Sequence, residues 1–347
     1  MTTNQITHRN HYVPQLYLKM WSSNGNTLYT YDTVAPNNGV KVWRSSPIKS
    51  SACWTDFYTR IIDGADNDDV ETYLDERYEA PAKIVFEKIS KNVLLSPEDT
   101  ATLIDFLTIQ MCRTPGWYLK ISDMYPKAFE SASTEVFEHI NDASKRGTLE
   151  QEIQETLTSP QRAEVTGFNP PLKIEIDPNS GLIEIDTVVG RSIFLETIKQ
   201  IEVGAAGKAL RSHCWRIVEV PVTNPLPTSD NPVMLLSINQ DGSYNFDGGV
   251  AQKNVDIIMP LTPRHFLFTE VGKNRTAIDS IVFDEAKITF IRNAIIDNAT
   301  RYIYAIRPID EIQNIRPRII DPEYYHKLNE SRINWHRYQT ELESKFL

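Results

Sequence analysis

The first 60 residues show the alternation of apolar and polar positions that is typical of β-strands. Residues 28–32 and 40–43 alternate on either side of the turn sequence Pro-Asn-Asn-Gly at 36–39. Residues 54–59 form a further run of this kind. The pattern predicts a hairpin and a third strand, and therefore a β region at the start of the chain.

Between residues 70 and 112 the apolar positions follow a helical period instead. One face of the first segment stays apolar, and Pro81 within it is expected to kink or split the helix. The next segment opens with Ser96, Pro97 and Asp99, which is typical of a helix N-terminus, and runs to Met111. The amphipathic pattern continues over 121–158, so the centre of the chain is predicted to be helical.

The second half of the chain mixes both periods. Residues 172–177 and 183–186 predict a hairpin with one apolar face. The elements predicted after it are a helix around 194–201, strands at 215–220, 255–259, 265–269 and 302–306, a helix at 281–300 and a terminal helix at 322–346.

Because strands and helices are grouped along the chain, the predicted fold class is α+β. It has an N-terminal β region, a central helical region and a C-terminal mixed sheet with helices. We expect three regions, 1–65, 66–165 and 166–347, that pack as one compact unit.

Composition narrows the class of protein. Of the 347 residues, 41% are hydrophobic and 24% are charged, which excludes wholesale disorder. The chain has no run of 18 apolar residues and its N-terminus is polar, so we expect neither a membrane partner nor a secretory signal. The three cysteines, Cys53, Cys112 and Cys214, are too far apart for a disulfide framework or a metal motif. We therefore expect a cytoplasmic protein.

Motifs and charge exclude further classes. The common nucleotide-binding, metalloprotease, α/β-hydrolase and kinase motifs are missing, so we expect no metal and no cofactor. Residues 121–190 carry 13 acidic and 5 basic side chains, which accounts for −8 of the net charge of −10. The rest of the chain, outside residues 121–190, carries a net charge close to zero. It is compatible with a neutral or basic cleft, but not with a surface coated in nucleic-acid-binding charge.

The segment 8–15, His-Arg-Asn-His-Tyr-Val-Pro-Gln, contains the first candidate site residue. Pro14 favours an extended backbone, in which His8 and His11 point to opposite faces, so a shared metal ion is disfavoured. Imidazole titrates near neutral pH, and His11 can therefore act as a general acid or base. The alternative is a structural histidine that is hydrogen-bonded beside Tyr12.

Gln110 and Arg113 lie three residues apart and share a helix face with Leu103 and Leu107. Both polar side chains should therefore point toward the interior. A buried guanidinium needs an anionic partner. That partner is either a protein carboxylate or a phosphate or carboxylate of a substrate, and the sequence leaves both open.

Asp230 and Asn231 precede Pro232 after a predicted core strand. One interpretation is an Asx turn, in which the carboxylate caps its own backbone. The other places Asp230 at the mouth of a sheet, where loops carry catalytic groups. Glu71, near a predicted helix start, either stabilises the helix dipole or belongs to the same site.

The terminal helix mixes aromatic side chains with Arg332 and Arg337. Such mixtures can bind single-stranded nucleic acid by stacking and charge. Interspersed glutamates favour a packed amphipathic helix instead.

Several short motifs occur together. They are His-Tyr-Val-Pro-Gln-x-Tyr-Leu at 11–18, Gln-x-x-Arg-Thr-Pro at 110–115, Ser-Asp-Asn-Pro-Val at 229–233, Pro-Leu-Thr-Pro at 260–263 and Asn-Ala-Thr-Arg at 298–301. In this order they resemble an uncharacterised, mainly bacterial family, the His-Tyr-Val-Pro domain-of-unknown-function family 4238.

The resemblance implies that His11, Gln110, Arg113 and Asp230 are family positions, and it implies no established activity. Asn10 stands where members often carry another histidine, which argues against a mechanism with two histidines. The scatter of the family among bacteria and mobile elements is similar to that of accessory, toxin and defence genes.

These residues suggest a metal-independent hydrolase or nuclease-like effector that acts on a phosphate-containing substrate in bacterial defence or as a toxin. His11 would be the general acid or base, Asp230 would orient it or act as partner base, and Arg113 with Gln110 would hold the anionic group. Three further residues are assigned to this site: Glu71 as catalytic, and Tyr12 and Asn231 as substrate contacts.

The partner would then be a nucleic acid or a nucleotide. The alternative is a non-catalytic ligand- or partner-binding protein in which the same residues form a structural polar network.

Overall fold

The computed structural model describes residues 6–62, 65–148, 151–152, 155, 172–176 and 183–345. Strands begin the chain, helices occupy its centre, and a sheet with further helices follows in the C-terminal part. The fold is therefore α+β, and the predicted class is confirmed. Among the helices described, none combines the length and the apolar character that crossing a membrane would require.

The described strands are, in chain order, β1 Arg9–His11, β2 Thr27–Asp32, β3 Val34–Ala35, β4 Trp43–Pro47, β5 Cys53–Thr55, β6 Arg60–Ile62, β7 Ala65–Asn67, β8 Leu172–Ile176, β9 Ile183–Thr187, β10 Arg216–Glu219, β11 Thr228–Ser229, β12 Met234–Ile238, β13 Tyr244–Asn245, β14 Val255–Thr262, β15 His265–Glu270, β16 Tyr302–Ala305 and β17 Ile319–Ile320.

The described α-helices are α1 Gln15–Leu18, α2 Asp69–Leu74, α3 Ala80–Ser90, α4 Pro97–Cys112, α5 Pro115–Arg146, α6 Arg191–Val203, α7 Ala205–Ser212, α8 Arg275–Asp279, α9 Glu285–Asp297, α10 Ile312–Ile315, α11 Pro322–Ile333 and α12 Trp335–Glu343. A π-helical turn, Asp75–Glu79, joins α2 to α3 just before Pro81.

Local sequence signals account for several of these boundaries. Ser96 and Asp99 form a capping box at the start of α4, because each side chain accepts a hydrogen bond from the other residue's backbone N–H. The predicted helix start is therefore confirmed. Strands β2 and β4 pair antiparallel around the 36–39 turn, as predicted, although β4 begins only at Trp43.

One predicted connection lies inside a strand. The predicted strands 255–259 and 265–269 leave residues 260–263 as their connection, but β14 continues to Thr262 and pairs with β15 across a register shift between Pro260 and Thr262. A shift of this kind accommodates Pro260, because proline has no N–H to donate to the ladder.

The described residues divide into two compact units. The first comprises Met1–Trp117 with Ile198–His336, and the second comprises Tyr118–Thr197 with Arg337–Leu347. The second unit contains the β8–β9 hairpin. All seven predicted site residues belong to the first unit.

Two sheets dominate the first unit. One has five strands in the order β10-β15-β14-β12-β13 and packs on the apolar side of α9 through Ile288, Ile291 and Ile295. The other has four strands in the order β11-β16-β2-β4.

The four-stranded sheet has two unlike faces. Tyr31 and Ile303 project from one face into an apolar cluster with Ile296 and Ile309. Because side chains alternate along a strand, the neighbours of Tyr31 and Ile303 lie on the opposite face. There Thr30 stands between its cross-strand partners Tyr304 and Arg44, so this face is polar.

Candidate functional site

The His-Tyr-Val-Pro segment is held against residues 52 and 53. His11 ends β1 opposite Cys53, and the backbone N–H of Tyr12 then donates to the carbonyl oxygen of Ala52 at 3.0 Å. Ala52 adopts a φ of 46°, in the left-handed region that alanine rarely occupies. A non-glycine residue in this conformation is held there by its surroundings, and such positions cluster at functional sites.

Two side chains at the end of α4 fasten this segment from the other side. The Gln110 amide donates from Nε2 to the carbonyl oxygen of Tyr12 at 2.9 Å. The Arg113 guanidinium donates to the carbonyl oxygen of His11 at 2.5 Å. We call this set, Gln110 and Arg113 with the carbonyls of Tyr12 and His11, the motif clamp.

The charge of Arg113 is paired within the protein. Its side chain is 1% exposed and forms an ion pair with Glu79 at 2.8 Å. It also donates to the Tyr58 phenol at 3.3 Å, and that phenol donates to the Arg113 carbonyl at 2.7 Å. The sequence left open whether this guanidinium meets a protein carboxylate or a ligand. In the structure its partner is the Glu79 carboxylate.

His11 is buried beside the same network. Its Nε2 lies 3.2 Å from the carbonyl oxygen of Lys49, a distance at which a neutral ring donates from that nitrogen. Burial, assisted by the charges of Arg113 and Arg9, lowers the pKa of His11 to about 4, although the Lys49 contact opposes the shift. His11 is therefore neutral at pH 7.

Asp230 is bonded to backbone on both carboxylate oxygens. One oxygen accepts from the N–H of Thr300 at 2.9 Å, and the other accepts from those of Arg301 and Tyr302 at 2.8 and 3.0 Å. Burial raises the pKa of Asp230 to about 6, against the effect of these three hydrogen bonds. The carboxylate joins the end of β11 to the start of β16.

Asn231 and Asn298 exchange hydrogen bonds. The Asn231 amide donates to the Asn298 carbonyl at 3.2 Å, and the Asn298 amide donates to the Asn231 carbonyl at 2.7 Å. Asn231 also accepts from the Thr114 hydroxyl at 3.4 Å. Two of the sequence motifs, at 229–233 and 298–301, therefore meet side by side.

Glu71 on α2 has a different environment. Its Oε2 is buried and has no hydrogen-bond partner among the described residues. Burial raises its pKa to about 7, although the positive charge of Arg113 and a hydrogen bond from Asn10 act in the opposite direction. Glu71 is the predicted catalytic residue whose carboxylate titrates nearest neutrality.

The predicted residues thus fall into two groups. His11, Tyr12, Gln110 and Arg113 are joined through the motif clamp, and Glu71 interacts with the charge of Arg113. Asp230 and Asn231 lie at the end of β11. No hydrogen bond or ion pair between described residues connects Asp230 to His11, which it was proposed to orient.

A cavity of about 180 Å³ opens on the polar face of the four-stranded sheet. We call it the polar pocket. It is lined by Tyr12, Thr30, Arg44, Ser46, Pro47, Ser50, Ser51, Ala52, Tyr302, Tyr304 and Arg332. Tyr12 is the predicted site residue that lines it, so the motif clamp holds the backbone of a residue whose side chain faces the pocket.

One hydroxyl group of the polar pocket lacks a partner among the described residues, and one phenol keeps its proton to donate. Thr30 is 3% exposed, and its buried Oγ1 has no hydrogen-bond partner among the described residues. The Tyr304 phenol accepts from the Ala52 N–H at 3.0 Å, which leaves its own proton to donate. Burial raises the pKa values of the lining phenols, that of Tyr302 to about 12, so they remain O–H donors at neutral pH.

Both charged residues that line the pocket are cationic. Arg332 has no carboxylate oxygen within 4 Å in the described part of the chain, and the Cys53 thiol beside it is kept neutral because burial raises the thiol pKa. Arg44 lies 4.0 Å from Asp32, whose two carboxylate oxygens already accept from Nε and Nη2 of Arg301 at 2.9 and 3.1 Å. The two lining guanidiniums are therefore poorly compensated.

Sequence reasoning missed most of this pocket. Thr30, Tyr302 and Tyr304 were assigned to strands without a site role, and Arg332 was assigned to a packed helix. The available signal was strand alternation, which places Thr30 with Asp32, and Tyr302 with Tyr304, on one face of the sheet. This alternation identifies a face of the sheet, but it does not indicate that α11 places Arg332 above that face.

The fold and the site together define an α+β protein with an open pocket lined by hydrogen-bond donors. A sequence model for "Protein of unknown function (DUF4238)" matches residues 9–307, so the chain belongs to this family. The resemblance seen in the motifs is confirmed. Comparisons with curated proteins and with solved structures gave no match. Within the described residues, no group of three or more His, Cys, Asp or Glu side chains is placed to hold a metal ion.

Proposed function

We propose that this protein binds a small anionic ligand in the polar pocket, with the family motifs as the scaffold that shapes the pocket. The observation that carries the proposal is the lining, in which the poorly compensated guanidiniums of Arg44 and Arg332 meet the unpartnered Thr30 hydroxyl and three phenols. This corresponds to the binding-protein alternative drawn from the sequence.

The energetics of buried polar groups support a ligand there. A buried donor without a partner costs about 1–3 kcal/mol, and folded proteins leave few of them. Uncompensated positive charge near buried surface is costlier still. An anion would satisfy the hydroxyls and both guanidiniums at once, because its unprotonated oxygens accept hydrogen bonds.

The scaffold role follows from Tyr12. Its carbonyl oxygen accepts from Gln110, while its side chain lines the pocket. Ala52 acts in the same way, because its carbonyl accepts from the Tyr12 N–H and its N–H donates to the Tyr304 phenol. The motif segment and the pocket floor are therefore joined by a continuous set of hydrogen bonds.

The test is isothermal titration calorimetry of the intact chain with inorganic phosphate at constant ionic strength. Arg332→Gln should weaken binding at least tenfold, because it removes a charged donor from the lining. Lys327→Gln is the matched control, since Lys327 is an exposed cation on the same helix, α11, and it should change the affinity less than twofold.

Equal losses in the two variants would mean that the anion responds only to overall charge. Absence of binding to phosphate and to other small anions would overturn the proposal.

A hydrolytic function remains the second candidate, and Glu71 is the observation that favours it. A buried carboxylate with a pKa of about 7 beside a guanidinium has the titration range of a general base. If the protein hydrolyses a chromogenic phosphodiester, Glu71→Gln and His11→Ala should each abolish turnover while the variants remain folded. Full activity in both would exclude these residues as catalytic groups.

A nucleic acid or nucleotide as partner, a role in defence or as a toxin, and a cytoplasmic location stay predictions from the sequence. The polar pocket bears on the first of these through its size. Sites for whole small-molecule ligands usually enclose about 300–1,000 Å³. A cavity of about 180 Å³ admits a head group of a nucleotide and not the entire molecule.

A further inference from the structure

We infer that the anion recognised by the polar pocket is a phosphoryl group, carried by free phosphate or by a phosphate monoester, rather than a carboxylate. This inference rests on the proposed anion-binding function and specifies its ligand. Two properties of the lining carry it, the number of donors and the net charge.

The number of donors exceeds what a carboxylate can accept. Three phenols and the Thr30 hydroxyl supply four O–H groups, while Ser50 and Ser51 already donate to the Pro47 carbonyl at 3.0 and 2.9 Å. The guanidiniums of Arg44 and Arg332 add several N–H groups. A carboxylate has two oxygens with about four acceptor sites, whereas a phosphoryl group offers three strong acceptor oxygens in a tetrahedral arrangement.

The charge also matches a dianion. The lining contains two guanidiniums and no carboxylate. A phosphate monoester carries about −1.5 to −2 at pH 7, and a carboxylate carries only −1. Guanidinium groups also form bidentate hydrogen bonds with phosphate oxygens, which a single lysine would not.

The size and exposure of the lining indicate how such a ligand would sit. A volume of about 180 Å³ is smaller than the roughly 300–1,000 Å³ of sites for whole small molecules and suits a head group. Thr30, Ala52 and Tyr304 are buried at the floor, whereas Arg44 and Ser50 are exposed at the rim. The phosphoryl oxygens would face the floor, and an esterified group would leave past Arg44.

The test is calorimetry of the intact chain with inorganic phosphate, methyl phosphate and acetate, each at pH 7.5 and constant ionic strength. Phosphate or methyl phosphate should bind at least tenfold more tightly than acetate. Arg44→Gln should lower the affinity for the phosphoryl compound about tenfold and that for acetate by less, so the selectivity should fall. Lys41→Gln, which removes an exposed cation just before β4, should leave the selectivity unchanged.

The outcomes separate the two proposals. Acetate binding as tightly as phosphate, or an unchanged selectivity in Arg44→Gln, would overturn the phosphoryl inference and leave anion binding standing. No binding by any of the three compounds would overturn both. If methyl phosphate and phosphate bind with equal affinity, the site is assigned to a head group on a larger molecule. If phosphate binds more tightly, the site is assigned to the free ion.

Discussion

The motif clamp and the polar pocket meet at Tyr12, but their polar groups differ in how far they are paired within the protein. In the clamp, each hydrogen-bonding nitrogen of Arg113 has an acceptor, and its charge is paired with Glu79. In the pocket, the Thr30 hydroxyl has no partner among the described residues, and Arg332 has no carboxylate within 4 Å there. Burial and polarity are thus common to both regions, and the ion pair of Arg113, which Arg332 lacks among the described residues, distinguishes them.

This difference indicates which of the two regions is the better candidate for a ligand site. A fully paired buried network stabilises one arrangement of the chain and leaves little for a ligand to gain. A set of unpaired donors around a cavity costs stability until something fills it. The residues that the family motifs emphasise belong mainly to the first kind, although Gln110 Oε1 and Glu71 Oε2 are unpaired exceptions.

The largest expected effect comes from breaking the clamp. Arg113→Met leaves the half-buried Glu79 carboxylate without its cation and the buried His11 carbonyl without its donor, so the free energy of unfolding should fall by about 3 kcal/mol. Urea denaturation measures this difference. Arg332→Gln, the same charge removed from the pocket, should change the unfolding free energy by less than about 1 kcal/mol. Equal stability of Arg113→Met and wild type would contradict a structural role for the clamp.

A second prediction uses the pH dependence of His11. Its pKa is about 4 in the folded chain and near 6.5 when unfolded, so the unfolded state binds the proton more readily. Stability from this group is complete above pH 6.5 and is lost as the pH falls toward 4, by about 3 kcal/mol at most. His11→Gln should remove that acid-dependent loss. The unfolding free energies of wild type and His11→Gln are measured at pH 7 and at pH 4. Equal losses of stability in the two proteins would refute the lowered pKa of His11.

Glu71 should show the opposite dependence. Its folded pKa of about 7 lies above the usual 4.5, so the folded state keeps the proton longer. Stability from this group is complete below pH 4.5 and is lost as the pH rises toward 7. Between pH 4 and pH 8 the stability of Glu71→Gln should therefore rise relative to that of wild type by about 3 kcal/mol at most. An unchanged difference between the two proteins over that range would argue against a buried, protonatable Glu71.

The smallest effect on stability is expected in the pocket. Thr30→Val keeps the side-chain shape and removes an unpaired buried hydroxyl, so the ligand-free protein should be as stable as wild type or more stable by up to about 1 kcal/mol. Phosphate affinity should nevertheless fall severalfold. Loss of stability with unchanged affinity would place Thr30 among the structural groups.

The sequence predicted the fold class well because its signals are local. Alternation marked β2 and the β8–β9 hairpin, and the Ser96 capping box marked the start of α4. The site was harder to predict because it depends on which distant elements meet. The face shared by Gln110 and Arg113 indicated correctly that both side chains point inward, but no local pattern indicates that they reach the backbone of residues 11 and 12.

The pocket illustrates the same limit. Thr30, Tyr304 and Arg44 become neighbours only through the strand order β16-β2-β4, and Arg332 joins them from α11. Sequence periodicity gives the face on which a side chain lies and not the element that packs against it. Ala52 carries no sequence signal for its left-handed backbone, which is usually marked by glycine or asparagine.

The most direct measurement of the central claim is the unfolding free energy of the intact chain at increasing phosphate concentration, for wild type and Arg332→Gln. A ligand that binds only the folded state stabilises it by about 2.7 kcal/mol at one hundred times its dissociation constant. The account predicts this gain in wild type, a much smaller gain in Arg332→Gln, and a wild-type response in Lys327→Gln. No stabilisation of wild type, or equal gains in wild type and Arg332→Gln, would contradict it.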